Sequence, residues 1–97
     1  MQIVLNKGEK NERTVTLPRK KAIVVREALD VRKRMATEVS DSKSFDEELA
    51  IVCRWFDDLT VDDVLNGMYA DEIIPFIFNT CEYLISGTLL KFESKNA

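Results

Sequence analysis

The stretch Arg19-Lys20-Lys21-Ala22-Ile23-Val24-Val25-Arg26-Glu27-Ala28-Leu29-Asp30-Val31-Arg32-Lys33-Arg34-Met35-Ala36-Thr37-Glu38-Val39 sets the fold class of this chain. Its apolar residues Val24, Ala28, Val31, Met35 and Val39 step by four, three, four and four, and Val25, Leu29 and Ala36 widen the stripe. That period belongs to an α-helix burying one face, whereas a half-buried strand alternates every second residue. The far side carries Arg26, Asp30 and Arg34 at i,i+4 spacing, where ion pairs steady an exposed helical face. A helix is expected over 19–39, with Pro18 suited to its first turn.

Upstream, Gln2-Ile3-Val4-Leu5 and Arg13-Thr14-Val15-Thr16-Leu17 read as two short strands around a polar turn containing Gly8, a β element over 1–17. A lone hairpin is marginal in water, so it must lean on helices or on a neighbour. Downstream, Ser40-Asp41-Ser42-Lys43 reads as a linker. Ser44-Phe45-Asp46-Glu47 has capping-box spacing for a helix over 44–57, with Phe45, Leu49, Val52, Cys53 and Phe56 on its buried face. Thr60 caps a short helix over 60–66, with Asp62 and Asp63 at its positive end and Gly67 as a left-handed stop. A last helix is expected over 71–86: Pro75 falls near its first turn, Ile73, Ile74, Ile77, Phe78, Cys81, Leu84 and Ile85 share one arc, and Gly87 closes it before a tail over 88–97. The expected fold is mainly α: a small helical domain of about four helices with a short N-terminal β-hairpin or strand, one domain over 1–97.

The 97 residues carry a net charge of −3, unevenly spread. Residues 7–34 hold ten bases against four acids, and from residue 35 onward thirteen acids face four bases. Such asymmetry favours an electrostatic partner or head-to-tail self-association. No apolar run approaches the roughly 20 residues that span a bilayer, and the first residues lack signal-peptide features, so a cytoplasmic protein without membrane contact is expected. Cys53 and Cys81 fall on apolar helical faces and read as reduced core thiols.

Few residues invite catalysis. The chain has no histidine, the commonest general base and metal ligand. Its two cysteines lie too far apart for zinc spacing, and three scattered glycines make no phosphate loop. Asp57-Asp58 and Asp62-Asp63 sit where helix capping accounts for them. No enzyme, cofactor or metal site is expected. Surface candidates remain. On a helical wheel Phe76 and Tyr83 fall opposite the core arc of the last helix, and Ile51 and Trp55 lie off the stripe of the second. Either neighbouring helices surround these side chains, or they form a protein-binding surface together with Leu89, Leu90 and Phe92. Arg19, Lys20, Lys21, Arg32, Lys33 and Arg34 form a basic set suited to charge-mediated association. The same set admits a small nucleic-acid-binding regulator as an alternative, against which stand the acidic balance and the acids interleaved on the helix.

Phe56-Asp57-Asp58-Leu59-Thr60-Val61-Asp62-Asp63-Val64-Leu65-Asn66-Gly67-Met68-Tyr69-Ala70-Asp71-Glu72-Ile73-Ile74-Pro75 resembles a block found in tail assembly chaperones of long, non-contractile-tailed bacteriophages. The order of parts, a strand segment, a long helix, an acidic linker and then this block, is similar to theirs as well. The resemblance implies a non-enzymatic protein that coats and solubilises the tape measure protein, a long helical chain, until tail-tube subunits polymerise around it. It implies as partners the tape measure protein and the tail-tube protein, while the basic front and acidic back add further copies of the chain, a homo-oligomer that becomes a spiral where the head-to-tail contact does not close. It also implies a place in the host cytoplasm and absence from the finished virion. The remaining alternative is a structural head–tail connector subunit, which would stay in the particle.

Overall fold

The computed structural model describes the backbone of residues 1–96 and the side chains of residues 1–87. Strands β1 (Gln2–Leu5) and β2 (Arg13–Thr16) form an antiparallel hairpin, with Ile3 opposite Val15 and Leu5 opposite Arg13. Helices α1 (Ile23–Thr37), α2 (Ser42–Trp55), α3 (Val61–Gly67) and α4 (Ile73–Asn96) follow, as the apolar periodicity requires. Helix α1 packs most extensively on α4 and next on α2, while α3 touches α2 and β1. Val24, Ala28 and Val31 of α1 meet Leu49, Val52, Ile77 and Cys81 in a core that Leu5, Val15 and Leu17 extend into the hairpin.

Several element ends differ from the sequence reading, each for a local reason. Helix α1 starts at Ile23 behind Ala22, so Pro18 lies outside its first turn. The Leu17 amide still donates to the Met1 carbonyl at 2.9 Å and the Leu17 side chain is buried, which keeps the chain extended to the edge of Pro18. In α2 the cap is Asp41 and not Ser44, so the expected linker is partly helix. The Asp41 Oδ1 accepts the Ser44 amide at 2.8 Å, and Ser44 stands at the third helical position with its hydroxyl turned back to Asp41. A carboxylate satisfies the positive end of a helix better than a hydroxyl, and those bonds hold Asp41 below its ordinary pKa. The Thr60 cap of α3 is present, completed by Asp63 Oδ2 accepting the Thr60 amide at 3.1 Å.

The glycines play other parts than helix stops. Gly67 ends α3 without a left-handed backbone; its carbonyl accepts the Asn6 amide at 2.8 Å, and a Cβ there would meet Leu5 Cβ at 3.1 Å. It is glycine because the hairpin packs onto it. Gly87 does not end α4, which runs through to Asn96 and takes in most of the expected tail. One glycine weakens a helix by only about 1 kcal/mol, too little to stop a segment of helix-compatible neighbours with no proline behind it. The left-handed positions fall at Asn6, Gly8 and Asp58, in the hairpin turn and in the link between α2 and α3.

Candidate protein-binding site

Beyond β2 the chain runs extended through Leu17 and Pro18, then crosses beside α4 before α1 begins. That crossing leaves a cleft of about 420 Å³ between the link and α4, lined by Leu17, Pro18, Arg19, Lys20, Ala22, Tyr83, Leu84 and Gly87. Gly87 adds no side chain to the floor, and no described atom stands within 4 Å of where one would begin. Tyr83 stands at the wall, 53% exposed, with an apolar ring and a polar tip. Arg19 and Lys20 rim the cleft, and a second hollow lies against Arg19, Lys20, Lys21 and Ala22. Among the described residues no acid pairs with Arg19, Lys20 or Lys21. Ile23, at the start of α1, is also exposed next to this run.

The other half of the basic set is placed differently. Arg34 reaches across to α2, its Nε donating to both Glu48 oxygens at 2.9 Å, and the Glu48 side chain is 7% exposed. The bond to Glu48 raises the Arg34 pKa above its ordinary value. Arg32 pairs with Glu82 of α4, which holds the Glu82 carboxyl below its usual range. Arg13 joins β2 to α3 through Asp63 at 2.9 Å; Asp63 is held low first by the Thr60 amide and then by Arg13. Lys33 remains exposed on the outer face of α1. The basic front and acidic back of the sequence are thus partly neutralised inside the fold.

A family model described as phage tail chaperone protein matches residues 1–97. The chain belongs to the phage tail chaperone family. No match is found among curated proteins or among solved structures.

In this tail chaperone the aromatic candidates divide. Tyr83 is at the surface, but Trp55 is 2% and Phe76 6% exposed, so both are core residues. The Trp55 Nε1 donates to Glu27 at 3.2 Å, and the Phe76 ring lies 5.8 Å from that of Phe56 at a tilt of 41°. Ile51 is half-buried against the same core. The side chains of Leu89, Leu90 and Phe92 lie outside the described residues. Sequence periodicity missed Ile74, Leu65 and Tyr69, which are exposed on α4, α3 and the link between them. Their apolar neighbours gave no sign that they would face outward. Cys53 and Cys81 are buried free thiols whose pKa burial pushes up to about 11, so both stay protonated and poorly nucleophilic near neutral pH. Among the described residues no helix is long and apolar enough to cross a membrane.

Proposed function

We propose that this tail assembly chaperone holds the tape measure protein in the host cytoplasm until tail-tube subunits displace it, and that the cleft between residues 17–22 and α4 grips the client. The observation that carries this reading is the meeting of Tyr83 with Arg19 and Lys20 over an apolar floor, with Lys21 next along the same run. A long amphipathic client helix needs apolar anchors inside a polar rim, and an aromatic with a polar tip is the commonest kind of anchor. A basic rim suits a client helix with acidic residues beside its apolar face, which steers encounter and fixes register.

Self-association follows the same electrostatics. Asp57, Asp58 and Asp62 are exposed around α3, and no base pairs with their side chains among the described residues. Such a patch meeting the basic rim of another copy makes a heterologous contact, and a rotation that does not close yields a spiral of subunits along the client.

The test is co-expression with the tape measure protein of the same phage, followed by size-exclusion chromatography with light scattering. A soluble client co-eluting with several copies is expected, with loss of the complex on combining Tyr83→Ala with Arg19→Glu. A client that stays insoluble beside the wild-type chain overturns the chaperone assignment. A client that co-elutes equally well with the double variant overturns the cleft.

A further inference from the structure

The outer edge of β1 is open over Gln2 and Val4, away from the cleft. The Leu17 amide bonds the Met1 carbonyl, so odd-numbered residues of β1 exchange ladder bonds with β2 and even-numbered ones face away. Asn6, the first even residue past the strand, confirms this: its amide donates to the Gly67 carbonyl of α3 on the outer side. Protein groups thus take up the outer edge at Asn6, while the backbone donors and acceptors of Gln2 and Val4 have no partner among the described residues.

That edge borders a groove of about 390 Å³. Gln2 and Val4 line one side; Met68, Asp71, Pro75 and Phe76 line the other. β1 carries no charge, no proline and no bulge, the usual devices that keep a strand edge from pairing. β2, by contrast, opens on Arg13 and is followed closely by Pro18.

We infer that this groove binds a single extended segment of another protein by strand addition beside β1, with apolar side chains over Met68 and Phe76 and a cationic residue near Asp71. Asp71 and Glu72 supply the charge, and no lysine or arginine side chain lines the groove, whose Met1 end holds the α-amino group. The shape selects a free segment over a second copy of this chain. An added strand lies about 4.8 Å from β1, between that edge and the α4 wall. A strand already paired in a hairpin would drive its own neighbour into that wall. The inference stands apart from the client reading of the cleft, and failure of either leaves the other intact.

The probe is a capped heptapeptide alternating valine and threonine between terminal lysines, titrated into the isotope-labelled full chain and followed by amide chemical shifts. Shifts are expected at Gln2, Val4, Met68, Phe76 and Asn79, with slowed exchange of the Gln2 and Val4 amides. N-methylation of alternate peptide residues removes about two backbone bonds and weakens binding roughly tenfold or more. A glutamate-ended analogue binds about threefold less tightly, a rim-charge effect. Val4→Pro removes an outward donor that no ladder bond uses and weakens the peptide likewise; should that variant unfold, the peptide analogues decide by themselves. No shifts up to ~2 mM peptide, or equal binding of the N-methylated form, overturns the inference. So does a free chain that is already dimeric with protected Gln2 and Val4 amides, because a second copy then holds the edge.

Discussion

Two basic runs of nearly the same composition, Arg19-Lys20-Lys21 and Arg32-Lys33-Arg34, meet opposite fates in this molecule. The second lies on α1 between two helices that supply acids, so Arg32 is paired with Glu82 and Arg34 with the buried Glu48. The first lies on the link before α1, where no acid pairs with it among the described residues and an apolar cleft opens beside it. A run of positive charge is therefore structural or available according to what packing brings alongside. Composition is silent on that point. The proposal that a partner takes the first run rests on that difference.

The sharpest way to break this contrast is to delete one cation from each run. Arg34→Ala strands the Glu48 carboxylate in a nearly buried position and is expected to lower unfolding stability by about 2 kcal/mol, less than for a fully buried pair because the guanidinium is partly solvated. Arg19→Ala should fall within about 0.5 kcal/mol of wild type in the same urea titration. Equal losses would erase the distinction between the runs.

Charge reversal of Arg19, Lys20 and Lys21 to glutamate sharpens it from the other side. Folding should change by about 0.5 kcal/mol or less, while binding of the tape measure protein weakens roughly tenfold or more and loses its salt dependence. Gly87→Ala probes the cleft floor. A methyl there meets nothing within 4 Å among the described residues, so the helix should gain about 0.5–1 kcal/mol, read as a higher thermal midpoint.

The smallest effect is a slope. Asp41, Asp63 and Glu82 are all held below their ordinary values of 3.8, 3.8 and 4.5. Groups lowered in the folded state stabilise it above their unfolded pKa, and that contribution is lost as pH falls through the folded one. The urea midpoint should therefore decline on acidification from about pH 5 to about pH 3. Arg32→Gln should flatten part of that decline by removing the partner of Glu82, whereas Arg19→Gln should leave it unchanged.

Helix α1 was legible because only one of its faces is buried: the stripe Val24, Ala28, Val31 is both the sequence pattern and the observed core. The first half of α4 was not, because α1 and Phe56 approach it from different sides. Phe76 is therefore buried outside the arc that holds Ile77 and Cys81. Trp55 follows the same logic at the end of α2, where Glu27 of α1 satisfies its ring nitrogen. Helix ends were misplaced where a rule named a residue type and two neighbours qualified, as with Asp41 and Ser44. Of the candidate site, sequence supplied Tyr83 and Arg19-Lys20-Lys21 as separate suspicions, some sixty residues apart.

By itself the sequence determined the helical class, the order of elements, the hairpin and the Thr60 cap, since these depend on periodicity and on hydrogen bonds between residues a few places apart. Only the tertiary structure decided which aromatics are buried, which cations are neutralised, why residue 67 is glycine and where a cleft and an open strand edge lie. Each of those depends on pairs distant along the chain: Arg34 with Glu48, Leu5 with Gly67, Leu17 with Tyr83. Local patterns fix how a segment can be buried, and packing in three dimensions fixes what it is buried against.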